Sequence, residues 1–268
     1  MARRRTPPGG PRGRPARDDT DEGKPFVSQE PDHRVSGDSA LQTCTLESLT
    51  SAVNYHAWLT DLVRPHLGDD PLEVGSGLGD YARTWLDGGV PRLTLSDRDP
   101  GRFAHLQAEF ADDPRVTVTD VDVLDPPHAS YSSLVAVNVL EHIEDHVGAL
   151  RSAHRLVRPG GTVVMFVPAF EFAMSRFDRA VGHHRRYTVR SLTAAYEEAG
   201  LRPESVRYVN APGLFAWFVG MRLLRMTPTD GPTVRLWDRA VVPVARRVER
   251  RVRVPFGQSV LAVGRVDG

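Results

Sequence analysis

Between residues 71 and 168 short β-branched runs alternate with helical patterns, and this alternation restricts the fold more than any other feature. "PLEV" (71–74) reads as a strand, and "YARTWLDGG" as a helix with its stop. "RLTLSD" and "GRFAHLQAEF" repeat the pair. "RVTVTDVD" and "SSLVAVNVL" add two strands. "DHVGALRSAHRLVRPGG" reads as a helix extending to Pro159, and "TVVMFVP" as another strand. Apolar strands alternating with helices predict an α/β fold, a doubly wound parallel sheet with helices on both faces. Such sheets bind ligands beyond the carboxyl ends of their strands, where the strand order reverses. Candidate functional residues are therefore those that follow each strand.

Upstream, "LESLTSAVNYHAWLTDLVRPHLG" carries apolar residues at helical spacing from Leu46 through Val53 and Leu59 to Val63, closed by Pro65 and Gly68. Residues 1–40 are rich in Pro, Gly and Arg, then in Asp and Glu. Their few apolar residues cannot offset the entropy of ordering, so we expect a disordered leader followed by one domain over 41–268. Segment 170–187 breaks the alternation and reads as a lid or acceptor-site insertion. A helix follows, with Thr188 as N-cap and Gly200 at its end. Then come a strand at "VRYVN", a helical segment over about 211–252 and a final strand in "FGQSVLAVGRV". Lys and Arg together number 34, as do Asp and Glu, so no global field favours nucleic acid or a membrane surface. Cys44 is the only cysteine, which excludes an internal disulfide and a cysteine-rich zinc site and suits a reducing compartment. The amino terminus lacks the apolar stretch of a signal peptide, and no run approaches the roughly 20 apolar residues of a spanning helix. The expectation is a soluble, cytoplasmic protein.

"LEVGSGLGD" (72–80) follows the first strand. A dinucleotide fingerprint, G-x-G-x-x-G, would need glycine at position 80, and Asp80 stands there. An aspartate at that helix start repels a pyrophosphate, and Glu73 adds negative charge just before the turn. The site therefore prefers a phosphate-free ligand with positive charge. S-adenosylmethionine has these properties: a sulfonium, an ammonium, one carboxylate and no phosphate. Asp97 ends the second strand, where a carboxylate can accept both ribose hydroxyls. Asp120 and Asp122 follow the third; either could accept an adenine amino group, and Asp122, at the exit of the alternating "VTV" run, is preferred, with the Val123 amide donating to a ring nitrogen. Asn138 ends the fourth, beside the methionine moiety.

"LEVGSGLGDYA", "LSDRD", "DVD" and "AVNVLEHIEDHVGALRSAHRLVRPGGTVVMFVP" together resemble the successive motifs of class I S-adenosylmethionine-dependent methyltransferases, in the small-molecule type 11 or 12 group. The resemblance is strong over about 56–168. It implies a Rossmann-like sheet of seven strands with the last antiparallel, and S-adenosyl-L-methionine as cofactor. It assigns cofactor contacts to Gly75, Gly77, Gly79, Asp97, Asp122 and Asn138, and places Ser76 where the family often has Cys, Ala or Ser. The helix bearing Tyr55 resembles the family's helical cap over the cofactor.

Three features could shape an acceptor site. His142 lies near the expected methyl group and could take a proton as a general base, or simply pack at a helix start. "GHHRRY" (182–187) could clamp an anionic acceptor through His183, Arg185, Arg186 and Tyr187, or form a basic loop whose arginines pair with Glu171 or Asp178. Residues 213–226 could floor an apolar pocket or pack under the last strand. No metal is expected, because the adjacent His183 and His184 point in different directions. These features suggest a methyltransferase for a small, amphipathic and partly anionic acceptor. The alternatives are a cofactor-binding regulatory protein without turnover and a nucleic-acid methyltransferase. The zero net charge, and the lack of an "NPPY"-like or "PC"-like motif after the fourth strand, argue against the last.

Overall fold

A computed structural model describes residues 37–49, 52–121, 130–223 and 232–267. Seven strands are present among them: β1 (Pro71–Val74), β2 (Leu93–Ser96), β3 (Val116–Val118), β4 (Tyr131–Val137), β5 (Val157–Pro168), β6 (Arg202–Val209) and β7 (Ser259–Arg265). They form one sheet in the order β3-β2-β1-β4-β5-β7-β6. β1 to β5 run parallel, and β7 inserts antiparallel between β5 and β6. The strand order reverses between β1 and β4, so the crevice for a ligand opens at their carboxyl ends.

The sheet is buried on both faces because successive side chains of each strand point to opposite sides. Leu134, Ala136, Val163 and Met165 pack with Leu150 of α5 (His146–Leu156) and with Leu192 and Tyr196 of α7 (Val189–Glu198). Val135, Val164 and Phe166 pack on the other side. There they meet Trp58 of α2 (Val53–Val63), Trp85 of α3 (Asp80–Asp87), Leu106 of α4 (Pro100–Glu109) and Val242 of α9 (Pro232–Glu249). Each fully buried aliphatic side chain of this kind contributes about 1.5–3 kcal/mol.

Two boundaries differ from the periodicity. α5 ends at Leu156 rather than at Pro159, and Val157 is already extended and paired with Tyr131. Pro159 lacks an N–H and disfavours helical backbone at Arg158, so the chain leaves the helix early. The single amino-terminal helix is instead two, α1 (Ser39–Leu49) and α2. No side chain of its own caps α2. The buried Asp238 of α9 accepts from the amides of Asn54 (3.0 Å) and Tyr55 (2.9 Å), so a remote carboxylate supplies the cap.

The expected leader falls outside the described residues up to position 36, and α1 begins inside its last two. Thr188 caps α7 in a reciprocal capping box with Ser191, and Gly200 follows that helix at φ +81°. The insertion holds a 3-10 turn (Glu171–Ala173) and α6 (Arg176–Ala180). After β6 come α8 (Ala211–Trp217), a π-helical turn (Phe218–Leu223) and α9. No helix among the described residues is long and apolar enough to cross a membrane.

Candidate functional site

The glycine turn sits where β1 meets β4. Gly75, Gly77 and Gly79 all hold positive φ (69°, 58° and 78°), a conformation that side-chain-bearing residues rarely adopt. A Cβ on Gly75 would stand 2.4 Å from Val139 Cγ2, so this glycine also lets the exit of β4 approach. The turn is anchored to β2. The amides of Gly75 (2.7 Å) and Ser76 (3.0 Å) donate to the Ser96 carbonyl, while Ser76 Oγ donates to the Glu73 carbonyl (3.1 Å) and accepts from the Ser96 amide (3.2 Å). Asp80 opens α3 and pairs with Arg83 at 3.0 Å.

Glu73 lies under this turn, buried, and its Oε2 has no hydrogen-bond partner. Burial pushes its carboxyl up from 4.5 to about 8; the Ser76 hydrogen bond opposes this, and the nearby Asp97 and Asp80 carboxylates reinforce it. A buried carboxyl without a partner for one oxygen is poised for a cationic ligand group. Asp97, at the end of β2, is 5% exposed. Its Oδ2 accepts from the Gly77 amide (2.9 Å), and its Oδ1 from the Asp99 amide (2.9 Å) and Arg102 Nε (3.1 Å). The bidentate grip expected on a ribose needs both oxygens, but Oδ1 is already saturated by two donors and only Oδ2 has capacity left. Sequence reasoning missed Arg102, whose position five residues past Asp97 puts it in the first turn of α4, facing back.

α1 lies over the turn. Leu46 Cδ1 lies 3.1 Å from the position of a Cβ on Gly77, Thr43 Oγ1 accepts from Arg102 Nη1 (3.3 Å), and the Ser39 hydroxyl bonds Asp99. Tyr55, on α2, directs its hydroxyl to Ser259 and Asn210 at the adjoining ends of β7 and β6, and burial raises its pKa to about 12. Asp122 and Val123, expected at the adenine, lie outside the described residues. Asn138 stands exposed at the end of β4 with φ +54°, a left-handed conformation that asparagine tolerates, and its amide donates to the Phe166 carbonyl (2.8 Å).

Beyond Asn138 the 3-10 turn Leu140–His142 meets the insertion. The His184 amide donates to the Glu141 carbonyl (2.9 Å). Arg185 donates through Nη1 to the Ile143 carbonyl and through Nη2 to the Glu144 carbonyl, both at 2.8 Å. Arg186 is buried. It donates to the Ala169 carbonyl (3.1 Å) and to Asp178 Oδ1 (2.7 Å), and its guanidinium lies 5.0 Å from the Trp217 ring centroid. Tyr187 is 1% exposed and packs in the core. Both arginines are therefore spent on the protein itself, which corrects the anion clamp expected of them. Asp178, wholly buried in α6, is the acceptor that gathers this segment. It takes hydrogen bonds from the Ser175 amide and hydroxyl, both at 2.6 Å, and lies 3.0 Å from His183 Nδ1. Burial opposes its ionisation, but His183, Arg186 and Ser175 together hold its pKa below the usual carboxylate range. The signal for it was the pattern Ser175-x-x-Asp178, a capping box.

His142 is pushed down to about 3 by burial and then by the neighbouring His183. A general base works best with a pKa near the working pH, so a permanently neutral His142 does not suit that role. Burial raises Glu141 to about 7 against the pull of His183. One ligand-type atom from each of Glu141, His142 and His183 lies within 4.8 Å of the others. The expectation of no metal considered only His183 with His184. The structure pairs His183 instead with residues some 40 positions upstream.

These features define a doubly wound α/β protein with three left-handed glycines and two buried carboxyl groups, Glu73 and Asp97, at its switch-point crevice. The methyltransferase domain model matches residues 54–206, more than half of the chain. The chain belongs to the class I S-adenosylmethionine-dependent methyltransferase family, whose cofactor is S-adenosylmethionine. It is 31% identical over 183 residues to the 27-O-demethylrifamycin SV methyltransferase of Amycolatopsis mediterranei, covering 63% of this chain and 66% of that protein. The chain spans about half to two thirds of the length of the curated relatives it matches. Among solved structures, an S-adenosylmethionine-dependent methyltransferase from Mesorhizobium loti shares the fold, with a TM-score of 0.53, 17% identity and coverage of 77% and 95% of the two chains. So does phosphoethanolamine N-methyltransferase 2 of Haemonchus contortus, solved with S-adenosyl-L-methionine (TM-score 0.56, 13% identity, 80% and 53% coverage).

Proposed function

We propose that this protein transfers the methyl group of S-adenosylmethionine to a small organic acceptor. The observation that carries this reading is the unpartnered Oε2 of buried Glu73, set under three left-handed glycines and next to Asp97. Glu73 would meet the cofactor's cationic amino-acid end. The remaining capacity of Asp97 Oδ2 would hold a ribose hydroxyl, and the backbone at Gly77 would lie against the nucleoside. The cofactor supplies a methyl group activated by its positive sulfur. The protein's own contribution is to orient an acceptor in line with that group and exclude water.

The acceptor class rests on two supports. The relative from Amycolatopsis is named for methylating a small molecule, and the zero net charge offers no field for a polyanion. With Arg185 and Arg186 spent internally, an anionic acceptor is no longer implied. Phe172 of the insertion (58% exposed) lies 5.9 Å, ring to ring, from Phe218 and supplies apolar surface for an acceptor body.

Titration calorimetry with S-adenosylmethionine and its demethylated product tests the cofactor half. Both should bind, NAD should not, and Asp97→Ala should weaken binding by about 1–3 kcal/mol. Mass spectrometry of candidate acceptors incubated with protein and cofactor tests transfer by a gain of one methyl group. Binding of NAD in preference to S-adenosylmethionine, or an indifferent Asp97→Ala protein, would overturn the reading.

A further inference from the structure

We propose that Glu141, His142 and His183 form a binding site for a divalent first-row transition metal, with Asp178 and the Val181 carbonyl orienting the two imidazoles. The inference stands independently of methyl transfer. Glu141 is 0% exposed, and apart from its own amide neither carboxylate oxygen has a hydrogen-bond partner. A buried carboxylate in this state is costly unless a cation meets it.

The histidines supply the rest. His183 Nδ1 lies 3.0 Å from Asp178 Oδ1 but off the line of a hydrogen bond; the carboxylate's charge still favours the ring proton on that side, which leaves the Nε2 lone pair directed elsewhere. Nε2 lies 3.8 Å from Glu141 Oε1, too far for a hydrogen bond. Two acceptors thus face each other across a gap that a cation would fill. His142 repeats the arrangement: one ring nitrogen faces the Val181 carbonyl, and buried Nδ1 has no partner. A ligating histidine whose other nitrogen donates to a carboxylate or carbonyl is the usual second layer of a metal site.

The geometry is close to that of a bound ion. Metal–ligand distances of about 2.1 Å put neighbouring donor atoms about 3.0–3.4 Å apart. The present set, within 4.8 Å, would contract by about an ångström or more. The imidazole planes stand at 85° with centroids 4.6 Å apart, so the rings do not block each other. The framework is braced without the ion by the His184 amide on the Glu141 carbonyl and by Arg185 on the Ile143 and Glu144 carbonyls. Two histidines and one carboxylate suit Zn(II) or Fe(II), leaving positions open for water or another ligand. The competing arrangement is a closed ion network of Glu141, His183, Asp178 and Arg186 that needs no metal.

Chelator-treated full-length protein titrated with Co(II), followed by visible absorption, separates the two. One saturable equivalent with enhanced ligand-field bands is expected, displaced by Zn(II). His183→Asn should abolish it, and Asp178→Asn should weaken it about 10–100-fold. Circular dichroism establishes that each variant is folded. If a variant fails to fold, the wild-type spectrum decides, because the hexaaquo-type spectrum would mean no protein site. Absence of a saturable site in the wild type, or a folded His183→Asn protein that titrates like it, would overturn the proposal.

Discussion

Replacing Glu73 by glutamine should stabilise the free protein, and more so as the pH rises. The carboxyl is wholly buried, and its pKa stands at about 8 against an ordinary 4.5. Below pH 4.5 it is protonated in both the folded and the unfolded chain, and burial carries no ionisation cost. As the pH climbs from 4.5 to 8 the unfolded chain gives up the proton while the folded one keeps it, so stability is lost through that window. Each pKa unit corresponds to 1.36 kcal/mol, so the loss is about 1 kcal/mol at pH 5 and about 3 kcal/mol at pH 7. Glutamine has the same shape and no charge to desolvate. The stabilisation by Glu73→Gln should therefore be about 2 kcal/mol larger at pH 7 than at pH 5. Urea denaturation of both proteins at the two pH values measures it, and the comparison cancels the other titrating groups. A stabilisation equal at both pH values would refute the argument. So would a destabilised variant at pH 7. The same group gives a second readout. If the cofactor's cationic end meets Glu73, binding at pH 7 should release most of one proton, seen as a buffer-dependent enthalpy in calorimetry.

Arg186→Ala should cost about 3–5 kcal/mol in urea denaturation, because it strands the buried Asp178 charge; a loss below about 1 kcal/mol would return Arg186 to the acceptor site. Asp238→Ala should cost about 1–3 kcal/mol by removing the cap on α2, with cofactor affinity less affected than stability. Deleting residues 1–36 should leave the melting temperature unchanged, since their composition offers too little apolar surface to pack; a drop of many degrees would show docking on the domain.

The parts of this protein that were readable in its sequence are those governed by local rules. Strand alternation, the spacing Gly75-x-Gly77-x-Gly79 and the strand-end position of Asp97 each follow from backbone chemistry within a few residues. They located the crevice and selected its ligand. The partners were not readable, because they come from far along the chain. Thr43 of α1 accepts from Arg102 across 59 positions, Leu46 of α1 lies over Gly77, and Asp238 caps a helix 184 residues upstream. Long-range pairings of this kind leave no periodicity to detect.

The insertion shows how the same limit misleads about function. Five polar or basic residues in a row look like a surface built for a ligand, since charged side chains are almost never buried unless paired. Here they are paired. Ser175, Arg186 and His183 converge on Asp178, and Arg185 ties the segment to the turn after β4. The bridge between Ala169 and Tyr187 closes the loop at its base. Its chemistry holds the exits of β4 and β5 together and fixes Glu141, His142 and His183 at one point. A basic motif can thus be internal structure when acids, here Glu171 and Asp178, lie on the segment itself. Both readings, clamp and internal pairing, follow from the motif, and it is the burial of Asp178 beneath Arg186 that decides for the second.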